Sequence, residues 1–447
     1  VARKVTATIL APIWKADLAF TRVVAPEKEE NGMQAAVNGP PLSLSDAIAR
    51  CMTTESMRRS LAVDPVGLLE SQGYDRSWFS GAEELSALNT LRAPLLDFSD
   101  EKLGKAVRRS RRGQADSTAI ELLLNFRGGV VAKAREVLAA LKPPPPLEAI
   151  FSRALADAGS LSEVVPCLPA LDFPAAVYAS CTGRLEPALP ASVASLFYYI
   201  GISLYDDIVD KDLDESWQGT PEAEIGFASL TLFSGLPGLA LEHLAQDGAN
   251  QRFIERAARF FQRAAYEVNV GQCLDIGTSL ETGTNAEDCE RIVRLKTGST
   301  GALCSRLGAE LAGLDDERRE QWAEIGCALY SAMQIASDIH DVWGKPVSPD
   351  LGNGILTLPI VYACNALEGE RRERLRSLLG SRSERLEDHQ EMRALVSASG
   401  ALRYSLLRAE VFRQRAICGL AKLKLEPPGS LLMAYVIEAA QMGDLSA

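Results

Sequence analysis

Histidine is scarce in this chain, with only His243, His340 and His389 in 447 residues. Zinc centres draw on several histidines or on paired cysteines, and the nine cysteines include no Cys-x-x-Cys, which argues against such a centre. An odd, scattered cysteine set is also no disulfide framework and fits a reducing cytoplasm. Positive charge is short as well: 47 Lys and Arg against 59 Asp and Glu leave a net charge of −12, so nothing favours nucleic acid or an anionic membrane surface as a partner. The basic cluster Arg108-Arg109-Ser110-Arg111-Arg112 has no interleaved aromatics and reads as a solvated loop. No stretch supplies the ~20 consecutive apolar residues that a transmembrane segment needs. The apolar stretch at 5–14 is short, is broken by Pro12 and meets Lys15 and Asp17 at once, so it is read as ordinary structure rather than a targeting segment. Alternation of β-branched residues is scarce too, which removes most sheet architectures.

What remains is a chain that is 47% hydrophobic and 24% charged, ordinary for a globular protein and long enough for more than one domain. Pro143-Pro144-Pro145-Pro146 is the clearest boundary, since four prolines favour an extended, stiff spacer. It separates a mostly helical N-terminal region, 1–142, from a domain at 147–447. In the first region a turn-rich stretch at 26–46 precedes helices expected from Ser45 or Asp46 through Ser60, at 83–92 and at 117–140. No recognisable chemistry lies there. Beyond the prolines, helix-length apolar segments at 223–245, 253–273, 288–313, 320–343 and 400–423 alternate with short Gly/Pro/Asp breaks. They predict an all-α fold, a bundle of long helices around a central cavity.

The stretch that organises this domain runs from Ala191 to Asp210, apolar until it ends in Asp206-Asp207-Ile208-Val209-Asp210. It is too long for a strand and apolar on nearly all sides, which predicts a buried helix. At 3.6 residues per turn Ser195, Tyr198/Tyr199, Ile202, Asp206 and Asp210 share one face, with Asp207 at its edge. Carboxylates then hang above an aromatic and aliphatic wall, and a buried like-charge cluster needs a cation. Hard oxygen ligands in this pattern suit Mg²⁺ shared with substrate phosphates. Read alone, the same acids fit an acidic helix end in water better than a metal site, and the tyrosines fit core packing equally well.

Further along, Gly271-Gln272-Cys273-Leu274-Asp275 puts Gln272 and Asp275 three apart on one helical face. Lys296-Thr297-Gly298 places a lysine and a hydroxyl together, and lysine can meet phosphate as a point charge. A second acidic helix end comes at Ser337-Asp338-Ile339-His340-Asp341, where Asp338 and Asp341 share a face with Gln334 and Ser331. Last comes Asp350-Leu351-Gly352-Asn353-Gly354-Ile355-Leu356-Thr357-Leu358-Pro359.

In this order the five motifs resemble those of the trans-isoprenyl diphosphate synthase (polyprenyl synthetase) family, whose members carry two Asp-Asp-x-x-Asp motifs on facing helices of an all-α fold. The likeness covers about residues 147–440. It implies that Asp206, Asp207 and Asp210 hold Mg²⁺ ions bridging to the diphosphate of an allylic prenyl substrate, and that Asp338 and Asp341 hold the remainder, about three ions in all. It implies diphosphate contacts from Lys296, Gln272 and Lys345, with Thr297 and Gln334 beside them, a cavity wall at Tyr198, Tyr199 and Ile202, and a homodimer.

The departures matter as much. The Gly-Lys-Arg-x-Arg segment with which chain-elongating members grip isopentenyl diphosphate is replaced by residues 171–178, which contain neither Lys nor Arg. Tyr199 stands where the family has His, and Ser216-Trp217-Gln218-Gly219 where it has Arg-Arg-Gly. In the second motif the leading position is Ser337 and the fourth is His340, expected to pack rather than ligate; Ile355 replaces a Lys. Ionisation machinery is kept while the cationic pocket is lost. The chain therefore resembles the terpene synthases of this fold, cyclising or rearranging one C15 or C20 diphosphate. The alternatives are a prenyltransferase, either synthase-like or using another acceptor such as a peptide, and a non-catalytic regulatory subunit.

Overall fold

The computed structural model describes residues 117–164, 169–211, 213, 215–245, 251–279, 283–344, 346–383 and 385–440, with isolated positions 48, 61, 68, 69, 83, 87, 88 and 90 before them. Every regular element among them is helical. In chain order these are α1 (Ser117–Leu141), α2 (Pro145–Val164), α3 (Pro169–Thr182), α4 (Leu189–Asp210), α5 (Glu222–Leu230), α6 (Leu236–Ala245), α7 (Gln251–Ile276) and α8 (Ala286–Val293). The remaining helices are α9 (Ser299–Leu311), α10 (Asp316–Trp343), α11 (Pro349–Asn353), α12 (Leu358–Ala366), α13 (Gly369–Ser381), α14 (Leu386–Ala398), α15 (Ala401–Leu420) and α16 (Gly429–Ala439). The expected all-α architecture is present. The helices expected at 45–60 and 83–92, the Arg108–Arg112 cluster and Lys345 lie outside the described residues, save for isolated positions.

The predicted organising helix is α4, packed against α1, α3, α5, α6 and α9. Pro190 sits in its first turn, where no N–H is needed and the fixed φ suits a helix. It ends where Lys211 turns left-handed (φ 57°), its N–H reaching the carbonyls of Asp207 and Ile208. Leu196, Phe197 and Leu204 are fully buried, each contributing roughly 1.5–3 kcal/mol. The second acidic helix, α10, starts at Asp315, whose side chain accepts from the Arg318 N–H, with Asp316 and Glu317 in the first turn; acids there suit the positive helix end. It lies between α9 and α15.

Two apolar segments that read as single helices are composites. The stretch 223–245 is α5 and α6 joined through a π-helical turn, Thr231–Gly235. The stretch 288–313 is α8 and α9 joined through another, Arg294–Gly298. A π turn keeps the backbone helical, so the apolar pattern runs through it unbroken.

The proline run forms a tight corner instead of the expected stiff spacer. Pro145 and Pro146 already belong to α2, because the first turn of a helix accepts proline. Helix α1 packs back on α4, and its buried Arg127 donates to both carboxylate oxygens of Asp172 on α3, at 2.8 and 2.5 Å.

Two helical stretches, 186–210 and 222–244, are long and apolar enough to cross a membrane by length and composition. The first is the central helix of the bundle, 78% buried, and half of the second is buried. The cysteines among the described residues are all unpaired thiols.

Candidate active site

At the end of α4, Asp206 and Asp207 are buried and Asp210 is half-buried. A cavity opens beside Asp206, lined by Ile202 and Tyr205 of α4, Phe233, then Ala265, Val268, Asn269 and Gln272 of α7, with Lys296 and Thr297. Apolar side chains thus make the wall, and the polar groups gather at one end. Behind the wall Tyr198 meets Phe233 edge-on, with ring centroids 6.4 Å apart, and tilts against Phe261 at 5.5 Å.

The tyrosine pair divides. Tyr199, one 100° step along α4, does not reach this wall; it is buried in the main core, its hydroxyl beside Ser203 and its titration raised by burial. Only Tyr198 stands behind the cavity, and the aromatics that line it are Tyr205 and Phe233. Tyr205 comes two helical turns after Tyr198 and was legible from that spacing. Phe233 carried no local signal.

Lys296 arrives on the second π turn. A β-carbon on Gly271 of α7 would come within 2.7 Å of the Lys296 amide nitrogen, so the missing side chain lets the two helices close. The Lys296 Nζ then donates to Asp275 Oδ2 at 2.7 Å and pairs with Asp206 Oδ1 at 3.2 Å. Burial by itself would depress this ammonium, but Asp206, Asp275 and Asp210 outweigh it and hold Lys296 above the ordinary lysine range. Asp275 is an acidic partner that the sequence pattern did not assign to the site, although its place in Gly-Gln-x-x-Asp was the available signal. Gln272 is buried on the cavity wall, its Nε2 without a hydrogen-bond partner.

A hydrogen-bonded chain joins this turn to the second acidic helix. Thr297 donates to Gln334 Oε1 at 2.7 Å, and Gln334 Nε2 donates to Asp338 Oδ1 at 2.9 Å. Burial pushes the Asp338 carboxyl up to about 7, with Asp341 and Asp275 adding to the rise and Gln334 and Lys296 opposing it. Asp341 and Ser337 are buried. His340 packs against Gly344, where an added β-carbon would meet its ring at 2.5 Å.

Among the described residues, no three His, Cys, Asp or Glu side chains form a ready-made metal cage. The donors present are carboxylate oxygens, which favour a hard cation. Asp206 Oδ1 is buried without a hydrogen bond, 3.2 Å from the Lys296 Nζ. Mg²⁺ is commonly held by one or two carboxylates, with waters and substrate phosphates completing its octahedron. The residues fit Mg²⁺ in that mode.

Residues 196–396, from within α4 to α14, match the polyprenyl synthetase family. Among curated proteins, the geranylfarnesyl diphosphate synthase of Aeropyrum pernix is 29% identical over 252 residues, 53% of this chain and 77% of the relative. The short chain isoprenyl diphosphate synthase of Methanocaldococcus jannaschii is 27% identical over 216 residues, 46% and 65% of the respective chains. In structure, the polyprenyl synthetase from Streptomyces coelicolor A3(2) aligns with a TM-score of 0.61 at 22% identity, covering 73% of this chain and 100% of its own. A geranylgeranyl pyrophosphate synthase from Corynebacterium glutamicum, complexed with isoprenyl diphosphate and magnesium, aligns at 0.60 and 20% identity, covering 72% and 99%. Residues 196–396, which include both acidic helix ends, are thus similar to the polyprenyl synthetase (trans-isoprenyl diphosphate synthase) family, and the chain shares the all-α fold of these solved structures.

Proposed function

We propose that the chain is a Mg²⁺-dependent prenyltransferase that ionises an allylic prenyl diphosphate and passes the prenyl group to an acceptor. The observation that carries this reading is the meeting of Lys296 with carboxylates from separate helices at the polar end of an aromatic-walled cavity. The relatives are named as diphosphate synthases, which supports transfer over the cyclisation expected from the sequence.

Diphosphate departs only when its developing charge is neutralised, and Mg²⁺ would supply that neutralisation at the leaving oxygens. In this reading Asp206, Asp207 and Asp210 hold the metal from α4, and Asp338 and Asp341 from α10. Lys296 and the Gln272 Nε2 meet the diphosphate, while Gln334 orients Thr297 and Asp338 together. Ile202, Phe233, Ala265 and Val268 keep water from the allylic cation, and the faces of Tyr205 and Phe233 stabilise its charge. We propose a C15 or C20 donor.

One observation favours a second reading. The segment that would grip a second diphosphate, 171–178, offers no cation, and its Asp172 is already bound to Arg127 inside the core. That favours a reaction with a single diphosphate, either cyclisation or transfer to an acceptor that carries none. We further propose a homodimer, as the resemblance implies; Phe227 on α5 and Tyr266 and Ile276 on α7 are exposed apolar side chains that such an interface could cover. The unpaired thiols support a cytoplasmic setting.

Purified protein given C10, C15 and C20 allylic diphosphates with Mg²⁺, with and without isopentenyl diphosphate, tests these readings. A lengthened diphosphate carries the first. A hydrocarbon or alcohol, released at the same rate either way, carries the second. Turnover only after a peptide fraction is added points to another acceptor, and no diphosphate release under any condition refutes them all.

A further inference from the structure

Lys296 occupies the place that a metal on Asp206 would claim. Its Nζ lies 3.2 Å from Asp206 Oδ1 and 2.7 Å from Asp275 Oδ2, and its side chain is 17% exposed. Buried carboxylates need a counter-charge to stay ionised, and here the ammonium provides it. A divalent ion bound to Asp206 would lie a few ångströms from that ammonium, and like charges at such separations repel strongly away from bulk water. Lysine and metal therefore compete for the same oxygen.

Asp275 is placed to survive that competition. It stands on α7, a different helix from Asp206, and makes the shorter of the two contacts with Lys296. Gly271, one turn earlier on α7, holds the Lys296 backbone against the same helix, so the tether does not depend on α4. We propose that Lys296 is an exchangeable internal counter-ion which the metal displaces from Asp206, and that Asp275 is the positioning residue that keeps the displaced ammonium at the mouth of the cavity. The exchange is a property of the substrate-free protein. Only the use of the displaced ammonium against a diphosphate rests on the function proposed above.

The test is Mg²⁺ titration of the substrate-free chain of residues 1–447, read by calorimetry and by the shift in unfolding temperature. Lys296→Met removes the competitor and is expected to tighten Mg²⁺ binding about tenfold; Lys296→Gln gives the same direction should the methionine variant not fold. Asp275→Asn leaves the ammonium resting on Asp206 alone and is expected to weaken Mg²⁺ binding about fivefold. In the Lys296→Met background the same substitution is expected to change affinity less than about twofold, because Asp275 acts through the lysine. With saturating Mg²⁺, inorganic pyrophosphate should bind about tenfold more weakly to Asp275→Asn than to the parent protein. Equal Mg²⁺ affinity with and without Lys296 overturns the exchange. An Asp275→Asn effect that persists undiminished without Lys296 also overturns it, since Asp275 would then act on the metal directly. A failure of prenyl transfer with these metal affinities intact would refute the functional reading and leave the exchange standing.

Discussion

Gly271 and Lys296 touch through their backbones: a β-carbon on Gly271 would sit 2.7 Å from the Lys296 amide nitrogen and 2.9 Å from Leu295 Cβ. The same relationship recurs on α4, where a β-carbon on Gly201 would lie 2.5 Å from the Phe233 amide nitrogen. Each glycine faces one of the two π turns, and both turns carry a cavity-lining side chain. Single π turns recur at functional sites. Gly201 thus admits the turn that brings Phe233.

Substituting either glycine should separate the helices. Gly271→Ala and Gly201→Ala are expected to lose about 1–3 kcal/mol in denaturant unfolding, the cost of overpacking a close contact. Gly226→Ala on α5 is the control, because nothing lies within 4 Å of its would-be β-carbon and alanine favours a helix by ~0.5–1 kcal/mol. Equal responses at Gly226 and Gly271 would contradict the close approach.

Removing the metal should remove turnover. Asp206→Ala and Asp210→Ala are expected to lower kcat by about 10²-fold or more with helical content unchanged by circular dichroism. Mg²⁺ or Mn²⁺ should restore chelated protein, and Ca²⁺ should not, since it takes longer bonds and a looser shell. Asp341→Ala should cost less than Asp206→Ala, because the second motif already has Ser337 at its leading position.

The raised Asp338 carboxyl makes metal-free stability depend on pH. With a folded value of about 7 against an ordinary 3.8, the unfolded chain loses this proton first as pH rises. The folded state thus binds more protons through that window, and stability falls from about pH 4 to pH 7. Bound Mg²⁺ offsets the penalty of the ionised form, so the rise in Tm on adding Mg²⁺ should be larger at about pH 8 than at about pH 5. Asp338→Asn should flatten the metal-free profile, and an unchanged slope in that variant would refute the assignment.

The Arg127–Asp172 pair can be broken from either side. Arg127→Met takes the guanidinium away from a carboxylate of zero exposure, at an expected cost of about 3–5 kcal/mol. Replacing both, as Arg127→Met with Asp172→Leu, should recover most of that loss, because a buried ion pair often gives way to apolar packing at little net cost. If the double variant is as unstable as the single one, helix packing and not charge dominates there.

The helices and their faces were legible in the sequence because they follow from a local period. Asp206 and Asp210 recur at i, i+4 with Ile202 before them, and α4, α7, α10 and α15 lie within a few residues of their expected spans. The order of the acidic ends, Gly-Gln-x-x-Asp and Lys-Thr-Gly was likewise there to read. Periodicity states which face of a helix is buried but not which helix it meets. Tertiary structure alone put Lys296 between Asp206 and Asp275, joined Arg127 to Asp172 and sent Tyr198 and Tyr199 to different clusters. It also decided the π turns: each inserts one residue into a helix and rotates the next helical segment about the axis, and the apolar pattern does not record the step. Phe233 and Lys296 owe their positions to those insertions, held open by glycines more than twenty residues away in the chain.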